Sequence, residues 1–234
     1  MATTFEVNER LVWMPQSGAF SLAVELIAVE LEASNPRFSH ELMEIARGAG
    51  PMPFVNLKDM EAHEFRAVVA AAENGFERMV SLGPGFLGSN PAAFWHIAAL
   101  FSELKGFLRY DPRADSAQPR ETTILLPSGS SLVRNACIGD AALEHVAMAV
   151  WDEDPSLSTH VLKGRSSASN TDVVCDLRTL DGRAVARLQT SADMLLGYYS
   201  DRTGWLSYAP EFSTALVDLL MAFRQGLERA EMTL

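Results

Sequence analysis

Three side chains in the second half of this 234-residue chain have the types needed for acyl transfer: Ser130 as nucleophile, His145 as base and Asp152 as its orienting carboxylate. No local pattern ties them together. The nucleophile elbow G-x-S-x-G, started at Gly129, requires glycine where Val133 stands, and the S-x-x-K pattern started at Ser131 meets Arg134. A hydrolase would therefore have to assemble its site from distant residues, and Leu126 to Ser131 reads more simply as a Pro-Ser-Gly-Ser loop joining two elements.

The stretch GPGFLG, Gly83 to Gly88, matches the dinucleotide-binding pattern G-x-G-x-x-G letter for letter. That chemistry needs a buried strand before the glycines and free N–H groups to cradle a pyrophosphate. An amphipathic helical pattern precedes Gly83 instead, and Pro84 has no N–H to offer. The stretch is expected to connect two helices, and no cofactor is expected.

The run Asp152-Glu153-Asp154 fails as a calcium loop, because Ser156 and Leu157 stand where a third ligand and a glycine belong. Asp140, His145, Asp152 and Asp154 could in principle gather a metal, but a solvated acidic surface facing a basic partner accounts for the cluster more simply, and no metal is expected. The five histidines are scattered, with His96 and Glu103 on one face of an apolar helix as the notable pair. Cys137 and Cys175 lack any C-x-x-C context and read as buried small hydrophobes of a reduced, cytoplasmic protein. Arg109, Arg113, Arg120 and Arg134 bracket one polar stretch and are read as solvated.

Tyr198, Tyr199, Trp205 and Tyr208 crowd one segment. Tyrosine and tryptophan are enriched where proteins bind one another, so this segment, with Asp152, Glu153 and Asp154, is the expected binding surface. The net charge of −11 is spread along the chain and opposes binding to nucleic acid or to anionic membrane. No apolar run reaches the length of a membrane span, and the N-terminus shows no secretory pattern. Three lysines against sixteen arginines, with abundant alanine, is a bias of GC-rich bacterial genomes.

Periodicity supplies the elements meant to position these groups. Phe5 to Trp13 alternates as a strand; Leu22 to Ala33, Phe38 to Ile45, Phe65 to Val80 and Ala92 to Tyr110 carry helical stripes. Asp59 is expected to cap the third helix and Pro91 to open the fourth. The polar stretch Asp111 to Arg120 predicts a linker, giving a helical subdomain with an N-terminal strand over 1–112, a linker over 113–120 and an α+β subdomain over 121–234, unless the whole forms one continuous domain. In that second part, Thr122 to Leu126 predicts a strand and Ala141 to Trp151 a helix capped by Asp140. Val173 to Leu177, Ala184 to Thr190, Met194 to Tyr199 and Trp205 to Tyr208 predict an antiparallel meander, closed by a final helix after Pro210. Glu73 to Arg78 and Arg224 to Arg229 share letters at an offset of 151, a hint of duplication.

The fold expected is thus α+β. The expected function is that of a non-enzymatic, acidic, cytoplasmic protein-binding protein of inhibitor, immunity, adaptor or chaperone-like kind. A hydrolase is the first alternative, and a structural protein that self-associates into a homo-oligomer through the Ala92 to Tyr110 helix is the second.

Overall fold

The computed structural model describes residues 3–48, 53–87, 91–114, 121–163, 173–201 and 209–231. The chain divides into two compact units, Met1–Ala117 and Gln118–Leu234. The first unit runs β1 (Thr4–Asn8), β2 (Leu11–Trp13), α1 (Ser17–Leu31), α2 (Pro36–Ala46), β3 (Phe54–Asn56), α3 (Ala62–Leu82) and α4 (Pro91–Tyr110). The second runs β4 (Glu121–Leu125), β5 (Ser131–Asn135), α5 (Ala136–Val150), α6 (Pro155–Lys163), β6 (Val173–Asp176), α7 (Gly182–Asp201) and α8 (Pro210–Glu231). The class is α+β, with one small mixed sheet in each unit.

The two units repeat one plan. In each, the first strand is central, antiparallel to the second and parallel to the third. The agreement extends to single hydrogen bonds. Asn35 accepts from the N–H of Phe38 at 3.2 Å to cap α2, and Asp154 accepts from Leu157 at 3.1 Å to cap α6; a proline follows each cap. Leu57 N–H donates to Glu6 at 2.9 Å, as Leu177 N–H does to Leu125. Asn56 and Asp176 each receive the N–H two residues on, from Lys58 and Arg178. Phe65, Val68 and Ala72 are buried on α3, and Val185, Leu188 and Ala192 are buried 120 positions later on α7.

The structural repeat therefore lies at an offset of 119 to 120, not at the 151 of the shared letters. Glu73 to Arg78 belong to α3 and Arg224 to Arg229 to α8, which hold different places in their units. Any two amphipathic helices can be slid into phase, so a shared stripe is weak evidence of common descent.

Residues 182–201 form one helix, so the expected strands Ala184 to Thr190 and Met194 to Tyr199, and with them the meander, are replaced. Val185, Leu188, Ala192, Leu195 and Tyr199 are buried at helical spacing. The Asp181-Gly182 pair starts this helix rather than turning a hairpin: the Asp181 carboxylate accepts from Ala184 N–H at 2.8 Å. Ser191, between two of the expected strands, donates its hydroxyl to Arg187 C=O within the helix. Trp205 to Tyr208 lie outside the described residues. The Phe5 to Trp13 run is a hairpin, folded at Asn8, whose side chain accepts from Arg10 and Leu11 N–H. Glu61 rather than Asp59 precedes α3, and Asn135 rather than Asp140 caps α5.

Gly83 ends α3 with φ of +66°, a conformation costly to side-chain-bearing residues, and a 3₁₀ turn over Pro84–Leu87 leads toward α4. Gly129 turns β4 into β5 with φ of +80°. Gly139 serves by its size: a Cβ there would come within 2.5 Å of Thr122 Cβ, because α5 lies directly on β4, where Thr122 also donates to Asp140 at 2.9 Å. Gly139→Ala is therefore expected to lower unfolding free energy by about 1–3 kcal/mol. Gly197→Ala, inside α7 with open space around it, should raise it by about 0.5–1 kcal/mol. Urea unfolding of the two variants checks both signs.

Candidate functional site

Among the described residues, the buried Asp, Glu and His side chains of the second unit, Asp140, Glu144 and His145, all lie on α5, a helix almost wholly covered. His145 Nδ1 and the Tyr199 hydroxyl share a hydrogen bond of 2.8 Å between α5 and α7, at 3% and 4% exposure respectively. At the equivalent place in the first unit stands Leu26, which packs on α3 at Gly75. The second repeat thus carries a hydrogen-bonded polar pair where the first carries an apolar contact.

The three candidates for hydrolytic chemistry occupy separate places. Ser130 is exposed in the β4–β5 turn, its hydroxyl 2.8 Å from that of Ser128. His145 is buried mid-helix against Tyr199. Asp152 is exposed just past the end of α5, seven residues beyond His145, or about 10 Å at helical rise. Nucleophile and base need to be within hydrogen-bond reach, and these positions do not assemble a relay.

Of the expected binding residues, Asp152 and Glu153 are exposed and adjacent, whereas Asp154 is committed to structure. Its carboxylate receives Ser156 Oγ at 2.7 Å and the Leu157 N–H, and it pairs with Arg187. The Ser156 hydroxyl, the Leu157 N–H and Arg187 together hold it below the usual carboxylate range against a smaller opposing effect of desolvation. Tyr199 is buried and Tyr198 half-buried, their rings edge to face at 5.6 Å on α7. Trp205 and Tyr208 lie outside the described residues.

Asp154 and Arg187 also line a cleft of about 370 Å³ with Ser156, Asp181 and Arg183, where α6 and α7 both begin. Its two carboxylates cap the two helices, so the favourable N-terminal positions are filled by the chain itself. Among the described residues, no group of three or more His, Cys, Asp or Glu side chains could hold a metal ion. No helix among them is long and apolar enough to cross a membrane.

Other singled-out residues fall into structural roles. Arg113 donates to the carbonyls of Val7 and Leu57 at 2.7 and 2.6 Å, pairs with Asp111 at 2.9 Å and lies 4.1 Å from the Phe65 ring centre. Burial pushes the Asp111 carboxyl up, but hydrogen bonds from Arg113 and Asn8 outweigh it and hold it below its ordinary range. Arg109 pairs with Glu73, and Arg134 donates to Val133 C=O; Arg120 lies outside the described residues. On α4, His96 is exposed while Glu103 is buried, so the two do not share a surface. Burial, then the Asp176 charge, push the Cys175 thiol up to about 12, which leaves it a poor nucleophile.

The sheets carry the feature that sequence reasoning passed over. Phe54 on β3 and Val174 on β6 hold equivalent positions on the sheet face away from the buried side chains, at 44% and 53% exposure. Period-two alternation could have placed them outward, but neither strand is long enough to display the pattern alone. Comparison with known proteins finds no matching family model, no matching curated protein and no matching solved structure. Among the described residues, the fold is that of a tandem α+β protein made of two ββααβαα units.

Two measurements test this electrostatic and polar layout. Tyr199→Phe is expected to cost about 1–2 kcal/mol of stability by removing the bond to His145, read by chemical unfolding. The Asp176 carboxyl, held at about 2 by its bidentate Arg178, should titrate there by carbon NMR and move up toward its ordinary value of 3.8 in Arg178→Gln. Because this folded-state value lies below the unfolded one, its stabilisation is present above the ordinary carboxyl range and disappears as pH falls toward 2.

Proposed function

We propose that this chain is a non-enzymatic protein-binding protein of the cytoplasm, of inhibitor, immunity, adaptor or chaperone-like kind. The observation that carries the reading is the recurrence of an exposed apolar side chain at the same outward position of both repeats, Phe54 and Val174. An exposed apolar residue on one sheet is ordinary, but its presence in both copies of a duplicated unit points to a retained surface. The exposed pair Asp152 and Glu153, in a chain of net charge −11, favours a partner that carries basic groups as well as apolar ones.

Affinity capture from the native host, followed by binding measurements on the captured protein, tests this. The double variant Phe54→Ser/Val174→Ser should bind at least tenfold more weakly, and Asp152→Lys/Glu153→Lys should slow association, most visibly at low salt. Binding left intact by all four substitutions, or no specific capture, would count against the reading.

A further inference from the structure

Asparagine or aspartate followed by glycine is the dipeptide most prone to cyclise, because the glycine nitrogen has no neighbouring Cβ to shield it. The chain holds two such pairs, Asn74-Gly75 and Asp181-Gly182. Asn74 is exposed, but it lies inside α3 and Gly75 is buried. In mid-helix the Gly75 N–H is committed to the carbonyl four residues back, and a Cβ there would meet Leu26 at 3.2 Å. The nitrogen therefore has neither the freedom nor the room to turn onto the Asn74 side chain.

Asp181-Gly182 is placed the other way. Both residues are exposed; Asp181 stands immediately before α7 and Gly182 is its first residue. The first N–H groups of a helix have no acceptor one turn back, and among the described residues the Gly182 N–H donates to none. Nothing beyond its own turn and chain neighbours lies within 4 Å of where a Gly182 Cβ would stand. The Asp181 carboxylate is held at this helix end by the Ala184 N–H at 2.8 Å, beside the free nitrogen. Fraying of one exposed turn is all that separates the two groups from contact.

We propose that Asp181-Gly182 is a site of isoaspartate formation, a covalent remodelling of the start of α7 that needs no reagent but water. From the protonated carboxyl, the Gly182 nitrogen attacks Asp181 Cγ; the N–Cγ bond forms, the Cγ–OH bond breaks, and the hydroxyl leaves with the amide proton as water. The product is a succinimide ring. Water then adds to the Asp181 backbone carbonyl carbon and the bond from that carbon to nitrogen breaks. The chain now runs through Cβ and Cγ, and the former carbonyl is a free carboxylate; nothing is oxidised or reduced. The change removes the carbonyl that accepts from Val185 N–H at 3.0 Å and displaces the carboxylate that caps Ala184, so the first turn of α7 is unfastened. It also remakes one wall of the cleft that Asp181 shares with Asp154, Arg183 and Arg187. The proposal is independent of the protein-binding reading, since it concerns chemistry within the isolated chain.

Ageing the purified full-length chain in heavy-oxygen water at neutral pH, followed by peptide mapping, tests it. Isoaspartate is read by methyl transfer from S-adenosylmethionine with an isoaspartyl methyltransferase and located by mass spectrometry, where passage through the succinimide leaves heavy oxygen in the residue. In the folded chain Asp181 should convert at least tenfold faster than Asn74. In concentrated urea the order should reverse, because an unconstrained Asn-Gly cyclises faster than Asp-Gly. Gly182→Ala, which fits the open space at the first helical position, should slow conversion at 181 at least tenfold while circular dichroism shows the fold intact. Three results would each overturn the proposal: Asp181 unconverted in the folded chain while the urea-unfolded chain converts, Asn74 converting as fast as Asp181 in the folded chain, or a rate at 181 unmoved by Gly182→Ala.

Discussion

Each unit depends on a parallel pairing between its central strand and a strand about 50 residues later, made over only three or four register pairs. A parallel neighbour cannot be reached by a tight turn, so the chain must cross over the sheet, and in both units it does so with two helices. The ladder alone is too short to hold. What fixes it is the residue just past the third strand: Leu57 and Leu177 continue the pairing by one hydrogen bond and bury their side chains completely. In the first unit Arg113 adds a clamp, bonding the carbonyls of Val7 and Leu57 from strand and loop together. The helices that make the crossover also cover one face of each sheet, and the opposite face is left to Phe54 and Val174.

Much of the first unit was legible because its helices carry wide apolar stripes and clear punctuation: Gly83 and Pro91 stand at the helix ends they announced. The second unit misled where two periods fit the same letters. In Ala184 to Tyr199, small and polar residues weaken the helical stripe, and an Asp-Gly pair mimics a hairpin turn while serving as a helix start. The repeat was visible only as shared roles, a cap followed by proline and a buried leucine after a short strand, because the side chains that fill them differ. Site residues were the least legible. A sequence gives residue types, whereas the burial of His145 and Tyr199 and the exposure of Asp152 follow from which helix faces which.

Asp154 shows how a charge can look functional and be structural. Within an acidic triplet it is the member that caps a helix and binds Arg187, and its counterpart Asn35 does the capping without charge. The carboxylate in the second repeat adds a tie between α6 and α7 that an asparagine does not supply as an ion pair. His145 with Tyr199 is a second such tie, joining α5 to α7. The second repeat carries polar links on α7 where the first has close apolar packing around Gly75.

Tandem copies of one fold carry a hazard during synthesis: a strand emerging from the ribosome can insert into the wrong copy, since both sheets offer the same order and direction. The pairs at equivalent places differ in bulk, buried Phe5 with buried Trp13 in one and buried Ile124 with half-buried Leu132 in the other. A strand of the second copy placed in the first would leave a void where Phe5 and Trp13 are buried, costing a few kcal/mol by the ordinary penalty of an underfilled core. Side-chain volume thus distinguishes the two copies where strand order and direction do not.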